Sequence, residues 1–309
     1  MNLIFVFIDG VGLGIDGPSN PFSYTETPGL DSILEGNRLT TESIGYKGPD
    51  ASLLGLDATL GVEGFPQSAT GQASIFTGEN AAALIGSHLN GFPDEQLREL
   101  LASKGLFKKL KEAGYRVSFV NAYRPEFFAM LHDGLQGNNY SCSTLITYYG
   151  ELQFKDLNCL RRGKAVYMDI TNELLLCQGY DIALIEPEKG ADNLINLSNG
   201  FHFCMFEYFL SDLVGHSANK ADAKKEVTKL DRFIGRLYEK VDFDNTFIIV
   251  SSDHGNMEDL STREHTLNWV PALLIGRREI RSAIEEKLQD LTDLLPAIRK
   301  ALSYNRSIN

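Results

Sequence analysis

The sequence is poor in positive charge: 29 lysine and arginine residues stand against 41 aspartate and glutamate residues, which gives a formal net charge of -12 at pH 7. Nucleic-acid surfaces depend on clustered lysine and arginine side chains, because these neutralise phosphates. The basic pairs Lys108-Lys109, Arg161-Arg162 and Arg277-Arg278 are too short to form such a cluster. The composition therefore indicates a protein without a nucleic-acid surface.

Long apolar runs and closely spaced cysteines are also missing. The apolar start, residues 3–8, is too short for a secretion signal and is followed by an aspartate, and no later run reaches the length of a membrane span. The absence of any CxxC pair favours reduced thiols over disulfides or a thiolate zinc site. The cysteines are Cys142, Cys159, Cys177 and Cys204. We expect a cytoplasmic protein that does not contact a membrane, and the sequence leaves its oligomeric state open.

Short apolar runs alternate with amphipathic helical patterns. Strands are predicted at 3–8, 115–120, 201–210, 247–250 and 270–275. Helices are predicted at 28–35, from 68 to the residue before Gly78, and at 96–112, 219–240 and 282–302. The segment 45–64 is rich in glycine and aspartate and is predicted to be a loop. This order predicts an α/β fold with a mostly parallel central sheet and helices on both faces.

The distribution of predicted strands and helices also indicates the domain organisation. Residues 1–124 and 201–309 contain the strands and long helices, so we assign them to one α/β core. Residues 125–200 are the least regular part, and we expect them to form a small cap or insertion, part of which belongs to the core.

Acidic or imidazole side chains lie where four of the predicted strands end or begin. They are Asp9, Asp212 with His216, Asp253 with His254, and His265. One such residue alone is more often an ordinary core or surface residue, but parallel strands bring their carboxyl ends to one edge of the sheet. Divalent cations would offset the repulsion among clustered carboxylates, and mixed aspartate and histidine ligands suit Zn²⁺, Mn²⁺ or Fe²⁺ better than Ca²⁺.

A hydroxyl group is predicted at the start of the helix of small residues that follows Pro66. Ser68 lies at or near the N-cap, where the helix dipole and free N–H groups stabilise an anion. It is a candidate nucleophile, although the same position suits a serine that only caps the helix. Thr70 is a rival hydroxyl. A hydroxyl beside paired cations attacks a phosphoryl group readily, so the pattern favours phosphoryl transfer.

These residues carry a resemblance to a known family. The order Asp9, Ser68, Asp212-x-x-x-His216, Asp253-His254-Gly255 and His265 resembles the alkaline phosphatase superfamily of two-metal enzymes. Ser68 lies nine residues before Thr77-Gly78, which is the family's spacing between nucleophile and Thr-Gly pair. Three further segments are most similar to cofactor-independent phosphoglycerate mutase and phosphopentomutase. They are 20–31, Asp253-His254-Gly255-Asn256 and His265-Thr266-x-Asn268-x-Val270-Pro271.

The resemblance implies two sites for divalent ions, Mn²⁺ or Zn²⁺. One would be held by Asp9, Ser68, Asp253 and His254, with Ser68 directed towards substrate, and the other by Asp212, His216 and His265. Sulfatases of the superfamily use a modified residue in a Cys/Ser-x-Pro-x-Arg setting, which the sequence after Ser68 does not match.

The chain departs from the mutases in length. Residues 79–114 are too few for the large second domain that the phosphoglycerate mutases carry there, and 125–200 leaves room only for a reduced phosphopentomutase cap. We therefore expect a hydrolase of small phosphomonoesters or phosphodiesters that works through a phosphoserine. A phosphomutase and a non-catalytic metal-binding protein remain alternatives. Candidate substrate contacts, without support from the family, are Asn90, Asn121, Arg124 and Arg162.

Overall fold

The computed structural model describes residues 1–132, 134–135 and 139–304. Its strands form a six-stranded sheet in the order β2-β6-β5-β1-β4-β3. The strands are β1 (Asn2–Ile8), β2 (Ala51–Leu56), β3 (Val117–Phe119), β4 (Phe203–Tyr208), β5 (Thr246–Ser251) and β6 (Val270–Ile275). Neighbours β5, β1, β4 and β3 are parallel, whereas β6 runs antiparallel to both β5 and β2.

Helices occupy most of the connections between the strands. In the first half of the described chain they are α1 (Pro21–Tyr24), α2 (Pro28–Ile33), α3 (Ser68–Thr77), α4 (Ala81–Ile85), α5 (Glu95–Lys104), α6 (Leu106–Glu112), α7 (Pro125–His132) and α8 (Cys142–Tyr149). In the second half they are α9 (Leu157–Arg161), α10 (Glu173–Cys177), α11 (Pro187–Ser198), α12 (Leu210–Ser217), α13 (Lys220–Lys240), α14 (Arg278–Glu285) and α15 (Leu294–Tyr304). Short 3₁₀ helices lie at Thr41–Ser43 and Leu291–Asp293.

The sheet is apolar on both faces, as expected of a central parallel sheet. Along β1, Phe5 and Phe7 belong to the apolar cluster on one side, with α3, α5, α6, α8 and α15, while Ile4 and Val6 belong to the cluster on the other side, with α2, α11 and α13. All four side chains are fully buried. The predicted fold class, a mostly parallel sheet with helices on both faces, is confirmed.

The strand directions place one edge of the sheet at the centre of the predicted chemistry. β1, β4 and β5 are parallel, so their carboxyl ends meet, and β6 begins at the same edge because it runs in the opposite direction. Segments that follow β1, β4 and β5 and the segment that precedes β6 therefore converge there.

Three predictions about elements were wrong. Part of the predicted loop 45–64 is strand β2, which pairs with β6 more than 200 residues away, and this partner is invisible to a local pattern. The predicted helix 96–112 is broken at Gly105, where a Cβ would lie 2.5 Å from the carbonyl oxygen of Leu101. The predicted helix 282–302 is two helices, α14 and α15, with a 3₁₀ turn between them.

The segment 125–200, predicted as a small cap, supplies helices to both apolar clusters that flank the sheet. α8 packs against α3 and α5, and α11 packs against α13 and β4. Between α8 and α11 lies a smaller apolar cluster that includes Leu157, Leu160 and Tyr167. The boundaries of a cap stay a prediction, and residues 133 and 136–138 of this segment lie outside the described residues. Of the helices in the described ranges, none has the length and apolarity needed to cross a bilayer.

Candidate active site

Ser68 is the first residue of α3 and faces the edge where the strands converge. Its Oγ lies 3.0 Å from Nε2 of His254, which follows the end of β5. The same Nε2 lies 3.1 Å from Oδ1 of Asp9, the residue that follows β1. Ser68, Asp9 and His254 are all buried. Three separate segments therefore bring a hydroxyl, a carboxylate and an imidazole to one point.

The environment of Ser68 differs from the sequence expectation in one respect. The N–H groups of Ala69 and Thr70, in the first turn of α3, donate to the carbonyl of Leu89 and are not free to hold an anion. The rival hydroxyl of Thr70 is fully buried, and it donates to the carbonyl of Gln67. Ser68, in contrast, has its hydroxyl in the cluster.

Gln72 links the two carboxylates on either side of His254. Its amide nitrogen donates to Asp9 Oδ2 and to Asp253 Oδ2, at 3.1 Å in both cases. Asp253 Oδ1 accepts from the N–H of Gly10 at 3.3 Å, so the loop after β1 and the end of β5 are tied together. Gln72 is four residues after Ser68 on α3 and therefore lies on the same helix face.

Asp212, His216 and His265 form the adjoining part of the site. Asp212 and His216 lie one turn apart on α12, and Asp212 Oδ2 is 3.4 Å from His216 Nε2. Asp212 Oδ1 is 3.4 Å from His265 Nε2 and accepts from the side-chain amide of Asn256 at 2.7 Å. The ring of His265 stacks on the ring of His254 with centroids 3.8 Å apart. The two parts of the site are therefore in direct contact.

The histidine tautomers fit cation binding. Nδ1 of His216 lies 2.7 Å from the carbonyl oxygen of Arg263, and Nδ1 of His265 lies 2.7 Å from that of Pro66. Because a carbonyl only accepts, each Nδ1 carries the hydrogen of the neutral ring and leaves Nε2 with a lone pair. The two Nε2 atoms lie 3.2 Å apart and beside the Asp212 carboxylate. Electron pairs that face one another in this way are stabilised by a divalent cation.

Ligand atoms fall into two overlapping groups. Asp212, His216 and His265 form one, and Asp9, Asp212 and His254 form the other, with the ligand atoms of each group within 4.8 Å of one another. Asp9 Oδ1 is buried and receives no well-aligned hydrogen bond from the described residues. Asp253 and Ser68 lie next to the second group, because both side chains are close to Nε2 of His254. The described residues therefore present two candidate groups of ligand atoms, with Asp212 common to both.

The electrostatics of this cluster are dominated by burial and by its crowded charges. Burial, together with the charge of Asp9, raises the pKa of Asp253 to about 7. Burial disfavours charge on His254, but the negative charges of Asp253 and Asp9 raise its pKa to about 10. Burial opposes ionisation of Asp212, but its contact with His265, the positive charge of His254 and the hydrogen bond from Asn256 together outweigh burial and lower the pKa of Asp212 to about 2. Protons occupy the cluster when cations do not, so metal binding displaces protons.

Glu258 joins the loops that carry the ligands. Its carboxylate accepts from the N–H of Gly12 at 2.8 Å, from the N–H of Asn256 at 2.7 Å, from the amide of Asn268 at 3.0 Å and from the hydroxyl of Thr266. Glu258 is almost completely buried. One side chain thus fixes the loop after β1, the turn after β5 and the segment before β6.

Replacing Glu258 with glutamine is expected to destabilise the protein and weaken metal binding. A glutamine has one acceptor oxygen and an amide that faces N–H donors, so we expect a loss of about 2–4 kcal/mol, since hydrogen bonds to charged groups contribute about 1.5–3 kcal/mol each. Urea unfolding and a metal titration would measure both effects. Glu264→Gln, an exposed change nearby, is the control. Unchanged stability and metal affinity in Glu258→Gln would contradict this role.

Three of the four predicted substrate contacts line a cavity of about 550 Å³ that opens beside Ser68. Asn90 and Arg124 lie on its wall, and Arg124 also donates to the side chain of Gln178. Asn121 lines it too, but its side-chain amide pairs with the backbone N–H and carbonyl of Glu207 and so continues the pairing of the sheet. Asn121 therefore positions Glu207.

The structure does not bring Arg162 to the cavity beside Ser68. Arg162 lies at the end of α9, where its guanidinium donates to the carbonyl of Asn158, and it lines a different cavity together with Arg161 and Lys164. The pattern that suggested it, a basic turn in a segment of unknown structure, contains no information about which way the turn faces.

Sequence analysis did not identify Gln72, Glu258 or Glu207 as site residues. Glu207 is the next-to-last residue of β4 and lines the cavity that contains Ser68. Its carboxylate accepts from the hydroxyl of Ser143 at 2.7 Å. Burial raises the pKa of Glu207 to about 7, and the hydrogen bond from Ser143 works against this rise. A lone glutamate in an apolar strand was the signal available in the sequence.

Glu207 is expected to make the stability of the metal-free protein depend on pH. Its pKa rises from 4.5 to about 7 on folding, so the folded state holds the extra proton and the stabilisation is lost as pH rises through about 7. Wild type should lose on the order of 3 kcal/mol relative to Glu207→Gln between about pH 5 and about pH 8. Urea unfolding of both chelator-treated proteins across this range measures the difference. Parallel pH profiles would contradict it.

Part of the chain is similar to a known superfamily and to one enzyme within it. Residues 179–305 match the model of the Metalloenzyme superfamily. The 2,3-bisphosphoglycerate-independent phosphoglycerate mutase of Antithamnion sp. is 27% identical over 133 residues, which are 39% of this chain and 26% of that protein. The similarity thus spans about a quarter of the length of that relative.

Two solved structures share the fold of this chain. The PH0037 protein from Pyrococcus horikoshii is 15% identical to this chain, with a TM-score of 0.58. The alignment covers 98% of this chain and 96% of the PH0037 chain. Phosphoglycerate mutase from Leishmania mexicana is 10% identical with a TM-score of 0.58 and covers 97% and 95%. The resemblance to alkaline phosphatase-like metalloenzymes, and among them to cofactor-independent phosphoglycerate mutase, is confirmed.

Proposed function

We propose that the protein is a two-metal-dependent phosphoryl-transfer enzyme that hydrolyses a small phosphomonoester or phosphodiester through a phosphoserine on Ser68. The observation that carries this proposal is the position of the Ser68 hydroxyl, 3.0 Å from His254 Nε2 and at the wall of a substrate-sized cavity. The similarity to metalloenzymes and to a phosphomutase supports a phosphoryl group as the group transferred.

The side chains of the cluster would divide the work as follows. Asp9, Ser68, Asp253 and His254 would hold one ion, and Asp212, His216 and His265 would hold the other, with Mn²⁺ or Zn²⁺ suited to this mixture of oxygen and nitrogen ligands. Asp212 also lies among the ligand atoms of the first group and would contribute to both ions. Bound divalent cations lower the pKa of a neighbouring hydroxyl and offset the charge that a phosphoryl group brings. Gln72 would orient the carboxylates of Asp9 and Asp253 through its hydrogen bonds, and Glu258 would fix the loops that carry the ligands.

A phosphomutase is the second candidate, and the sequence similarity to the Antithamnion enzyme favours it. A mutase must hold its substrate while the phosphoryl group leaves and returns, which needs cationic groups that grip the rest of an anionic substrate. Arg124 is the single lysine or arginine among the described residues that line the cavity. This composition favours hydrolysis.

The two reactions and a non-catalytic role separate in one assay. Protein loaded with Mn²⁺ or Zn²⁺ would be incubated with an aryl phosphomonoester, an aryl phosphodiester and phosphoglycerate, each beside Ser68→Ala. We expect Ser68-dependent release of the aryl alcohol from one of the two esters, with inorganic phosphate as the second product from the monoester and a phosphomonoester as the second product from the diester. Isomerisation of phosphoglycerate without release would establish the mutase instead. Tight binding of two ions without either reaction would favour a metal-binding protein that lacks turnover.

A further inference from the structure

Part of the wall of the cavity beside Ser68 is aromatic. Tyr123 and Phe127 stack with ring centroids 3.9 Å apart and an interplanar angle of 28°. Tyr140 meets Phe127 edge to face at 6.2 Å, and Phe154 packs behind both stacked rings at 5.2 and 4.9 Å. Of these rings, Tyr123, Phe127 and Tyr140 line the cavity. Rings held by one another in this way form a rigid apolar surface.

The polar end of Tyr123 is already used inside the protein. Its hydroxyl lies 2.9 Å from the hydroxyl of Thr144, and burial holds the pKa of Tyr123 well above its usual range. The ring rather than the hydroxyl is therefore the part of Tyr123 available to a ligand.

The mouth of the cavity is also apolar. Phe92, Met130 and Leu213 line it and expose 48%, 44% and 57% of their surfaces. Large apolar side chains that remain exposed around a cavity mark a place where a ligand covers apolar surface. The aromatic wall and this rim are independent observations, because the rim residues take no part in the ring stack of Tyr123 and Phe127.

The charges around the cavity disfavour a second anionic group on the ligand. Among the described residues that line the cavity, Arg124 is the one lysine or arginine. The cavity is also lined by Glu126, whose pKa is lowered mainly by the hydrogen bond from Tyr180 and to a smaller extent by the charge of Arg124. Glu207 lines the same cavity. An anion placed beyond the phosphoryl group would face these acids or the apolar rings.

We infer that the substrate is a phosphoester whose alcohol part is apolar and carries a ring-sized group, bound against Tyr123 and Phe127. This inference rests on the proposed function, since it places the phosphoryl group at Ser68. It excludes as preferred substrates esters that bear a carboxylate or a second phosphate. Of the alternatives, a quaternary ammonium group would also suit aromatic faces, and the test separates it from an uncharged ring.

Binding of non-hydrolysable phosphonates tests the inference without requiring turnover. Phenylpropyl phosphonate and propyl phosphonate differ only by the ring, and calorimetry on the metal-loaded protein gives both dissociation constants. We expect the ring to tighten binding about tenfold or more, as burial of one aromatic group allows. Carboxyethyl phosphonate and trimethylammoniopropyl phosphonate, with an anionic and a cationic end, should bind no more tightly than propyl phosphonate.

Substitutions in the aromatic wall test whether it causes the preference for the ring-bearing phosphonate. Phe127→Ala should remove most of the ring preference, and it lies on α7, which has no buried residue among its described side chains and so tolerates the change. Phe243→Ala, far from this cavity in the apolar contact with Tyr238, is the matched control and should keep the preference. Tyr123→Phe should keep it as well, since the ring remains.

Equal affinity for the two alkyl phosphonates, or tighter binding of either charged compound, would overturn the inference. The proposed function is judged separately, by Ser68-dependent release of phosphate from ethyl phosphate. If ethyl and phenethyl phosphate are hydrolysed equally well, the substrate class is wrong and the phosphoryl transfer stands. If neither ethyl nor phenethyl phosphate is hydrolysed while the phenyl ring still tightens phosphonate binding, the preference of the cavity for a ring is supported and the proposed hydrolase activity is contradicted.

Discussion

Replacing Ser68 with alanine is expected to lower phosphate release by at least about 10³-fold, because removal of a nucleophile leaves only the contribution of binding and charge stabilisation. Metal content and folding should stay close to wild type. Ser68 contacts the cluster through one hydroxyl, 3.0 Å from His254, and the carboxylates and the other imidazoles are untouched by the change. Steady-state kinetics, metal analysis and circular dichroism measure the three properties.

Thr70→Val is the matched control for Ser68→Ala. It removes the rival hydroxyl two residues along α3 while keeping the side-chain shape, and that hydroxyl faces backbone groups of Gln67 and Leu89 and not the cluster. Activity should fall less than about tenfold, in line with the loss of buried hydrogen bonds alone. A large loss in Thr70→Val with activity retained in Ser68→Ala would exchange the two assignments.

Replacing Asp212 with asparagine is expected to reduce bound metal from two ions to fewer than one and to abolish activity, with a loss of about 10³-fold or more. Asp212 is common to both groups of ligand atoms, with its two oxygens 3.4 Å from His265 and His216. Asparagine keeps the size of the side chain but lacks the charge that binds the cations. Metal analysis by mass spectrometry and the phosphate-release assay give the two readouts.

Asp222→Asn provides the comparison, because Asp222 is a half-exposed acid at the start of α13, outside both ligand groups. It should leave metal content and activity unchanged. An Asp212→Asn protein that still binds two ions would show that Asp212 is a ligand to neither. Loss of one ion with the other retained would mean that the two groups do not share it.

The position of the site could be predicted because it depends on strand ends. Buried parallel strands are continuous apolar runs, and the polar residues that follow them stand out in the sequence. Asp9, Asp253 and His254 follow β1 and β5 in this way, and the structure places them within a few ångströms of one another. His265 joins them because β6 is antiparallel and begins at the same edge.

Other parts depend on contacts between distant segments and could not be predicted. Strand β2 looks like a loop until β6 pairs with it, and Glu258 looks like an ordinary loop acid until Gly12 and Asn268 meet it from two other segments. The direction in which Arg162 points was equally hidden, because it depends on how α9 packs. Local sequence patterns indicate which residues end a strand, but they do not indicate which residue will form hydrogen bonds to several loops at once.

The most direct test of the central claim is to trap the phosphoenzyme. Metal-loaded protein would be mixed with an aryl phosphomonoester and quenched in acid during turnover, and its peptides would be analysed by mass spectrometry. We predict a phosphoryl group on Ser68, in the peptide that contains the start of α3, and none on Thr70. Turnover that leaves Ser68 unmodified, with the phosphoryl group on another residue, would contradict the account.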